Sequence, residues 1–366
     1  MADHININYL AVKNFGCIKD VTAKLSPIHA FIGPNDSGKS TLLRALRTAM
    51  QLLAGHFNGA FPEIKPNKKC QPFHPGNHNN ATIAIESKEN FNYGIQISEG
   101  ENLNEKLKMY KGKMKGMPIQ HKRQIWAPHL KKSQQPSIRT SLPGITPPRL
   151  VRLDPDSMRT PGRLIPSEQQ IDLTNEKGIG IASIYDALIN RKLDGFLAIR
   201  ESVVSLFPTV KTIALKNVEA SGGMITKELE IELKDGSRVS SQFMSEGLLY
   251  YLAFAALKHI DPASILLIEE PENGLHPSRI KDIMSIFREI SNETQVLIAT
   301  HSPLVINELN PDEVTIIWRD DTKGTQALPI SETANFKERS KVYALGELWL
   351  SYADGINEAL LRKAAE

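Results

Sequence analysis

The sequence predicts an α/β fold built around a buried parallel sheet, and three observations carry that prediction. Short apolar runs at His29-Ala30-Phe31-Ile32, Ser264 to Ile268 and Gln295 to Ala299 have the length and hydrophobicity of strands covered on both faces. The first two are followed by segments with helical spacing, Thr41 to Leu46 and Pro277 to Ser291. A glycine-rich turn, Gly33 to Gly38, stands between the first run and its helix, so strand, loop and helix follow in direct succession.

The elements follow in order. Ile5 to Val12 reads as an opening strand, and the alternation at Thr82 to Glu86 and Tyr93 to Ile97 predicts an antiparallel pair. From about Asn102 to Pro166 the pattern dissolves, and nine prolines there exclude long helices, which marks an insertion of loop or extended chain. Helical spacing returns from Ile181 to Leu206. Strands follow at Val210 to Leu215 and Leu229 to Leu233, the latter closed by Asp235-Gly236. Ser245 to His259 is helical by spacing, Glu313 to Trp318 is strand-like, and the tail from Glu338 onward predicts an amphipathic helix pair.

Composition narrows the class of protein. With 366 residues, 41% hydrophobic and 23% charged, the chain has apolar material for a sizeable core and is not disordered as a whole. It holds no run of eighteen apolar residues, and its start, MADHININYLAVKNF, lacks the plan of a signal peptide, so a cytoplasmic protein without a membrane segment is expected. The two cysteines, Cys17 and Cys70, fit free thiols in a reducing compartment. The net charge of +3 is unevenly spread. Residues 106–163 hold eight lysines and six arginines against two acids, Asp154 and Asp156, and the remainder is net acidic.

Four motifs carry chemistry. Gly33-Pro34-Asn35-Asp36-Ser37-Gly38-Lys39-Ser40-Thr41 is a full phosphate-loop match, GxxxxGK followed by Ser or Thr. Its glycines let backbone N–H groups close around phosphates, Lys39 reaches the β and γ phosphates, and Ser40 offers a hydroxyl to Mg²⁺. The run Ile265 to Ile268 ends in Glu269-Glu270, two carboxylates at the strand end where open α/β sheets bind ligands. Phosphoryl transfer uses both, one to hold the metal and one to orient the attacking water. Thr300-His301-Ser302 follows the run Gln295 to Ala299 and places His301 at the same edge as a γ-phosphate sensor. Ser245-Glu246-Gly247 opens a helix whose free N–H groups suit an anion.

The order and spacing of these motifs resemble the ABC-type ATPases of the SMC, RecF and OLD (overcoming lysogenisation defect) group, over nearly the whole chain. Val12 to Phe15 with Ile18 to Asp20 looks like that group's opening strand, Gly33 to Thr41 like its Walker A loop and Ser245 to Gly247 like its signature motif. Glu269 and Glu270 take the Walker B positions, Asn273 to His276 the D-loop and His301 the switch histidine; Gln96 is the candidate Q-loop glutamine. The resemblance implies an ABC-type P-loop ATPase head with a mixed sheet, a helical lobe and a Pro-rich basic insertion. It implies one domain over 1–366: a Walker A lobe at 1–100, the insertion at 101–170, a helical, signature and Walker B lobe at 171–330 and a helical tail at 331–366.

The implied activity is hydrolysis of ATP to ADP and phosphate with Mg²⁺. ATP is held between the Walker A loop of one subunit (Asn35, Ser37, Gly38, Lys39, Ser40, Thr41) and Ser245 and Gly247 of another. Ser40 and Glu269 are the implied metal ligands, and Glu270 and His301 the catalytic groups. Two departures from the group's pattern, Glu269 in a position that usually holds Asp and SEG in place of SGG, fit slow turnover or an ATP-dependent scaffold as the alternative. The segment after His301 is short, so a separate effector chain, a nuclease or toxin, is the expected partner, as in anti-phage or repair systems. A transporter subunit fits less well, because the span between the Walker motifs is long and the signature is not LSGGQ. Cys70, His74 and His78 have the residue types of a zinc site but no evident fourth ligand.

The basic stretch 106–163 is a candidate nucleic-acid path, since lysine and arginine neutralise phosphates and release counterions; a solvated loop or a dock for an acidic protein are its alternatives. Charge reversal at Lys131, Lys132 and Arg139 is expected to weaken DNA or RNA binding, and unchanged, salt-insensitive binding in a mobility-shift assay would refute that path.

Overall fold

Chain segments whose residues are buried on every side need neighbours on both faces, and segments buried at every second residue need one. Both kinds are present. The computed structural model describes residues 6–55, 80–87, 91–98, 102–109, 120–125, 145–220, 222–320 and 322–353, and the Cys70, His74 and His78 string lies outside them, as do Lys131, Lys132 and Arg139.

The chain begins with β1 (Tyr9–Phe15), β2 (Ile18–Lys24), β3 (Ile28–Ile32) and helix α1 (Lys39–Leu53), followed by β4 (Asn80–Ser87), β5 (Phe91–Ser98), β6 (Asn102–Met109) and β7 (Gln120–Ile125). Next come β8 (Arg149–Val151), α2 (Pro155–Met158), β9 (Gly162–Arg163), α3 (Ile181–Arg191), α4 (Leu193–Leu206), β10 (Val210–Ala220), β11 (Met224–Leu233), β12 (Arg238–Ser240) and α5 (Glu246–Leu257). The last part holds β13 (Ile265–Glu269), α6 (Pro277–Ile290), β14 (Gln295–Thr300), α7 (Pro303–Asn307), β15 (Val314–Asp320), β16 (Gly324–Pro329), α8 (Phe336–Arg339) and α9 (Leu345–Ala353). Two compact units result: residues 1–149, 263–269 and 291–366 form one, and residues 150–262 and 270–290 the other.

In the first unit an antiparallel sheet runs β2-β1-β4-β5-β6-β7. Strand β4 buries alternate residues, as a one-sided strand does. A mixed sheet runs β16-β15-β3-β14-β13, with β15, β3, β14 and β13 mutually parallel and β16 antiparallel to β15. Strands β3, β13 and β14 are buried at every position. Helix α1 touches β1 and β4 of one sheet and β13 and β14 of the other, and its Leu42, Leu43, Leu46, Ala49 and Met50 are fully buried. Gln295 is a polar staple: its amide accepts from Ile7 N at 2.8 Å and donates to the carbonyls of Ile7 at 2.8 Å and Ser26 at 2.9 Å.

The second unit holds the sheet β10-β11-β12, with β9 also paired to β11, and helices α2 to α6. Helix α5 is buried from Leu248 to Leu257. Phe254 meets Phe287 of α6 edge-on at 5.2 Å, and the Tyr185 hydroxyl of α3 donates to the Leu252 carbonyl at 2.9 Å.

Three expectations need correction. The pattern-free segment after Asn102 contains β6 and β7, which extend the antiparallel sheet by backbone pairing, a contribution that side-chain periodicity does not report. The helical stretch from Ile181 to Leu206 is two helices, broken at Lys192, whose backbone leaves the helical region and whose ammonium donates to Asp261 and to the His259 carbonyl. The opening strand begins at Tyr9 and continues to Phe15.

His29, in the middle of β3, is 1% exposed, with its ring nitrogens 3.0 Å from Ser26 Oγ and 2.9 Å from Thr315 Oγ1. Burial pushes its pKa down to about 4, against an opposing pull from Glu313. Between pH 6.5 and about 4 the unfolded chain takes up this proton and the folded chain does not, so stability falls as pH drops through that window. His29→Gln is expected to flatten that part of the fall in the unfolding free energy obtained from urea titrations, by about 1.4 kcal/mol per pH unit; identical pH profiles for the two proteins would refute it.

Candidate nucleotide-binding site

Parallel register decides which side chains share an edge. Thr300 pairs with Ile32 and Ala299 with Glu269, so the carboxyl ends of β3, β14 and β13 lie side by side. Gly33, His301 and the Glu269 carboxylate therefore line one edge of the sheet, the place where open α/β sheets bind ligands.

The loop after β3 is shaped by two crowded glycines. A Cβ on Gly33 would lie 2.0 Å from the Ile317 carbonyl oxygen of β15. Gly38 has φ +108°, and a Cβ there would lie 2.8 Å from Thr325 Oγ1 and 3.2 Å from Cys17 Sγ. Asp36 is left-handed as well, at φ 61°. Lys39 starts α1, is 7% exposed, and donates to the carbonyls of Gly33 at 2.8 Å and Pro34 at 2.7 Å. Its ammonium is thus held in the hollow of its own loop. Ser37 is 1% exposed, and its buried hydroxyl oxygen has no hydrogen-bond partner. Asn35 is exposed, and Ser40 and Thr41 are half-buried.

These features fit a nucleotide triphosphate: a backbone cradle with no room for side chains, an enclosed cation, an orphaned hydroxyl and a helix N-terminus. Mg²⁺ fits the oxygen donors Ser40 and Glu269, the latter 7% exposed at the end of β13. Among the described residues no group of three or more His, Cys, Asp or Glu side chains is placed to hold a metal, so a metal here would share its ligands with phosphate.

Glu270 follows in a left-handed conformation, φ 49°. Such a φ costs a non-glycine residue about 1 kcal/mol. A tight turn fixes it, with Asn273 N donating to the Glu270 carbonyl at 3.1 Å and Asn273 Nδ2 to the Glu270 carboxylate at 2.8 Å. On the neighbouring strand end, the Thr300 hydroxyl accepts from Ser302 N at 2.9 Å, which shapes the turn that leaves His301 exposed before α7.

In the second unit, Ser245 caps α5 with extended backbone but without a side-chain hydrogen bond, leaving its hydroxyl and the helix N-terminus available. Gly247 is close-packed, since a Cβ there would lie 3.3 Å from the Gly274 carbonyl. Gly274 has φ +68° and sits against Tyr250, whose ring a Cβ would meet at 2.3 Å. The signature turn and the turn after Glu270 are thereby packed together. Arg159 holds the segment before Ser245: its carbonyl accepts from Ser241 Oγ at 3.3 Å and Gln242 Nε2 at 3.0 Å, and its guanidinium donates to the Met244 carbonyl at 3.3 Å.

The sequence motifs revealed Walker A, both carboxylates, His301 and Ser245. They did not single out Arg159, Tyr250 or the Cys17 and Thr325 contacts, because these act through contacts formed only on folding; Asn273 was marked as part of the D-loop, but its bonds to Glu270 were not. Gln96 stands inside the antiparallel sheet, in β5 between Thr82 and Asn104.

The fold and this edge define an ABC-type ATPase head of the SMC, RecF and OLD type. The chain belongs to the family described as AAA domain, putative AbiEii toxin, Type IV TA system, whose model matches residues 120–307, and residues 6–136 match an AAA ATPase domain model. An SMC head solved with the C-winged helix domain of ScpA superposes with TM-score 0.56 at 18% identity, covering 88% of this chain and 97% of the other. An Smc head with an extended coiled coil, bound to the C-terminal domain of ScpA derived from Pyrococcus furiosus, gives TM-score 0.53 at 15% identity, over 92% and 99%. These likenesses show the fold.

Among sequences, an OLD nuclease of Thermus scotoductus is 51% identical over 37 residues, 10% of this chain and 7% of that one. An uncharacterized protein of Methanocaldococcus jannaschii is 23% identical over 145 residues, 36% of this chain and 38% of its own length. Human ATP-binding cassette sub-family A member 6 is 29% identical over 152 residues, 38% and 9%. The chain spans less than two-fifths of each of these curated relatives.

Lys39→Ala is expected to weaken ATP binding by about 10-fold to 100-fold, the worth of a charge-assisted phosphate contact. Titration with a fluorescent ATP analogue checks this, and an unchanged dissociation constant would place the nucleotide elsewhere.

Proposed function

We propose that this chain hydrolyses ATP to ADP and phosphate and that two copies close head to tail around the nucleotide. The observation that carries the reading is the shared edge of β3, β14 and β13, which bears an enclosed lysine and an orphaned serine hydroxyl after β3 and a buried carboxylate at the end of β13. Ser37, Gly38, Lys39 and Thr41, with Asn35 at the loop's outer face, bind and orient the phosphates. Ser40 and Glu269 hold Mg²⁺, which supplies neutralisation of charge developing on the transferred phosphoryl group. Glu270 orients the attacking water, and His301 reads the γ-phosphate. Ser245 and Gly247 of a second copy complete the pocket from the other side, so that ATP joins the subunits.

Closing the pair is the signal, and a separate effector chain, a nuclease or toxin, receives it in anti-phage defence or DNA repair. The family's description as a putative toxin of a toxin–antitoxin system and the short OLD nuclease match support that direction. Among the described residues no helix is long and apolar enough to cross a membrane.

A second reading, an ATP-dependent scaffold with very slow turnover, is favoured by one observation. The Glu270 carboxylate accepts from Asn273 on Oε2, which ties it to its own turn and leaves Oε1 as the oxygen with no bond to Asn273 for a water.

Phosphate release and solution mass with and without MgATP separate the two for the wild type and Glu270→Gln. Turnover in the wild type, lost in Glu270→Gln together with a lasting ATP-dependent doubling of mass, is the expected result. Equal, negligible turnover in both would favour the scaffold, and unchanged mass in both would remove the head-to-tail pair.

A further inference from the structure

Phe243 is 83% exposed, the most exposed of the large apolar side chains that the described residues leave in water; the others range from 40% to 74%. Single apolar residues on a surface are ordinary, but this one is held on a fixed segment. It ends a 3₁₀ turn, Ser241–Phe243, that is fastened to Arg159 on both sides. Ser241 and Gln242 donate to the Arg159 carbonyl, and the Arg159 guanidinium, itself paired with Asp156 at 3.0 Å, donates to the Met244 carbonyl. Met244, the next residue, is 3% exposed and anchors the segment from below. These bonds hold the residues on both sides of Phe243, so its backbone is presented at a set place on the surface.

We infer that Phe243 is an anchor for a second copy of this chain, inserted when the two copies close around ATP. The inference rests on the proposed head-to-tail reading and adds the residue that grips. Phe243 precedes Ser245 by two residues, about 7 Å of chain, so the surface that meets Ser245 also meets the ring. Gln242, Ser245 and Glu246 around it are exposed, which gives an apolar centre with a polar rim, the layout of a protein interface. The edge that the second copy presents also carries exposed apolar surface: Leu304, three residues past His301, is 40% exposed. An aromatic side chain has only two side-chain torsions to fix on burial, and on a tethered segment little further ordering is needed, which is why such residues dominate binding.

The test uses Glu270→Gln as the parent, with MgATP, and compares it with the same chain carrying Phe243→Ser or Phe243→Trp. Sedimentation over a concentration series is expected to show the serine variant associating at least about tenfold more weakly than the parent, with the tryptophan variant close to the parent. Binding of a fluorescent ATP analogue to the dilute monomers should be equal in all three, which separates loss of the partner contact from loss of the nucleotide. Equal association of the parent and the serine variant would overturn the anchor alone and leave Phe243 to a different partner. A parent that stays monomeric with ATP would instead overturn the head-to-tail reading on which the anchor rests.

Discussion

The rest of the structure depends on how closely β15 and β16 press against the phosphate loop. At Gly33 the Ile317 carbonyl occupies the space of a side chain, and at Gly38 the Thr325 side chain does the same. At both positions the loop can then pass only as bare backbone. That crowding also explains why Lys39 folds back onto the carbonyls of Gly33 and Pro34: enclosed at 7% exposure, its charge needs close acceptors. An arriving phosphate would find a cation already desolvated and held, so less ordering remains to be done on binding.

The two adjacent glutamates receive different treatment although the chain hands them over one after the other. Glu269 ends a strand buried on both faces and stays within the first unit, whereas Glu270 begins the second, in a left-handed conformation secured by Asn273. A metal ligand gains from rigidity, and a group that orients water gains from a defined but separable hydrogen bond. From Glu270 the same turn leads to Gly274, packed on Tyr250 of the signature helix. The turn that begins at the proposed catalytic carboxylate and the proposed partner-facing turn are thus packed together within one unit.

Arg159 shows how a basic residue can be misassigned from charge alone. It belongs to the stretch whose lysines and arginines suggest a polyanion path, yet it spends its donors on Asp156 and the Met244 carbonyl. Local charge density describes a segment, and hydrogen-bond geometry describes a residue.

The sequence by itself determined the parts whose logic is local. Short, mostly apolar runs of four or five residues marked β3, β13 and β14, because strands buried on both faces favour apolar side chains and accept a polar one, such as His29 or Gln295, only with a partner. The phosphate loop, Glu269, Glu270, His301 and Ser245 were legible because each stands next to such a run or opens a helix. Tertiary structure decided what depends on partners distant in the chain. Strand β6 exists through backbone pairing with β5 and β7 through pairing with β6, the Lys192 side chain at the helix break meets Asp261, and the neutral His29 owes its state to burial beside Thr315. The clamp of Arg159 on the segment before Ser245 spans more than eighty residues. Periodicity reports which face of an element is apolar; it carries no information on which distant carbonyl a guanidinium will meet, and that meeting is what tethers the segment beside Phe243.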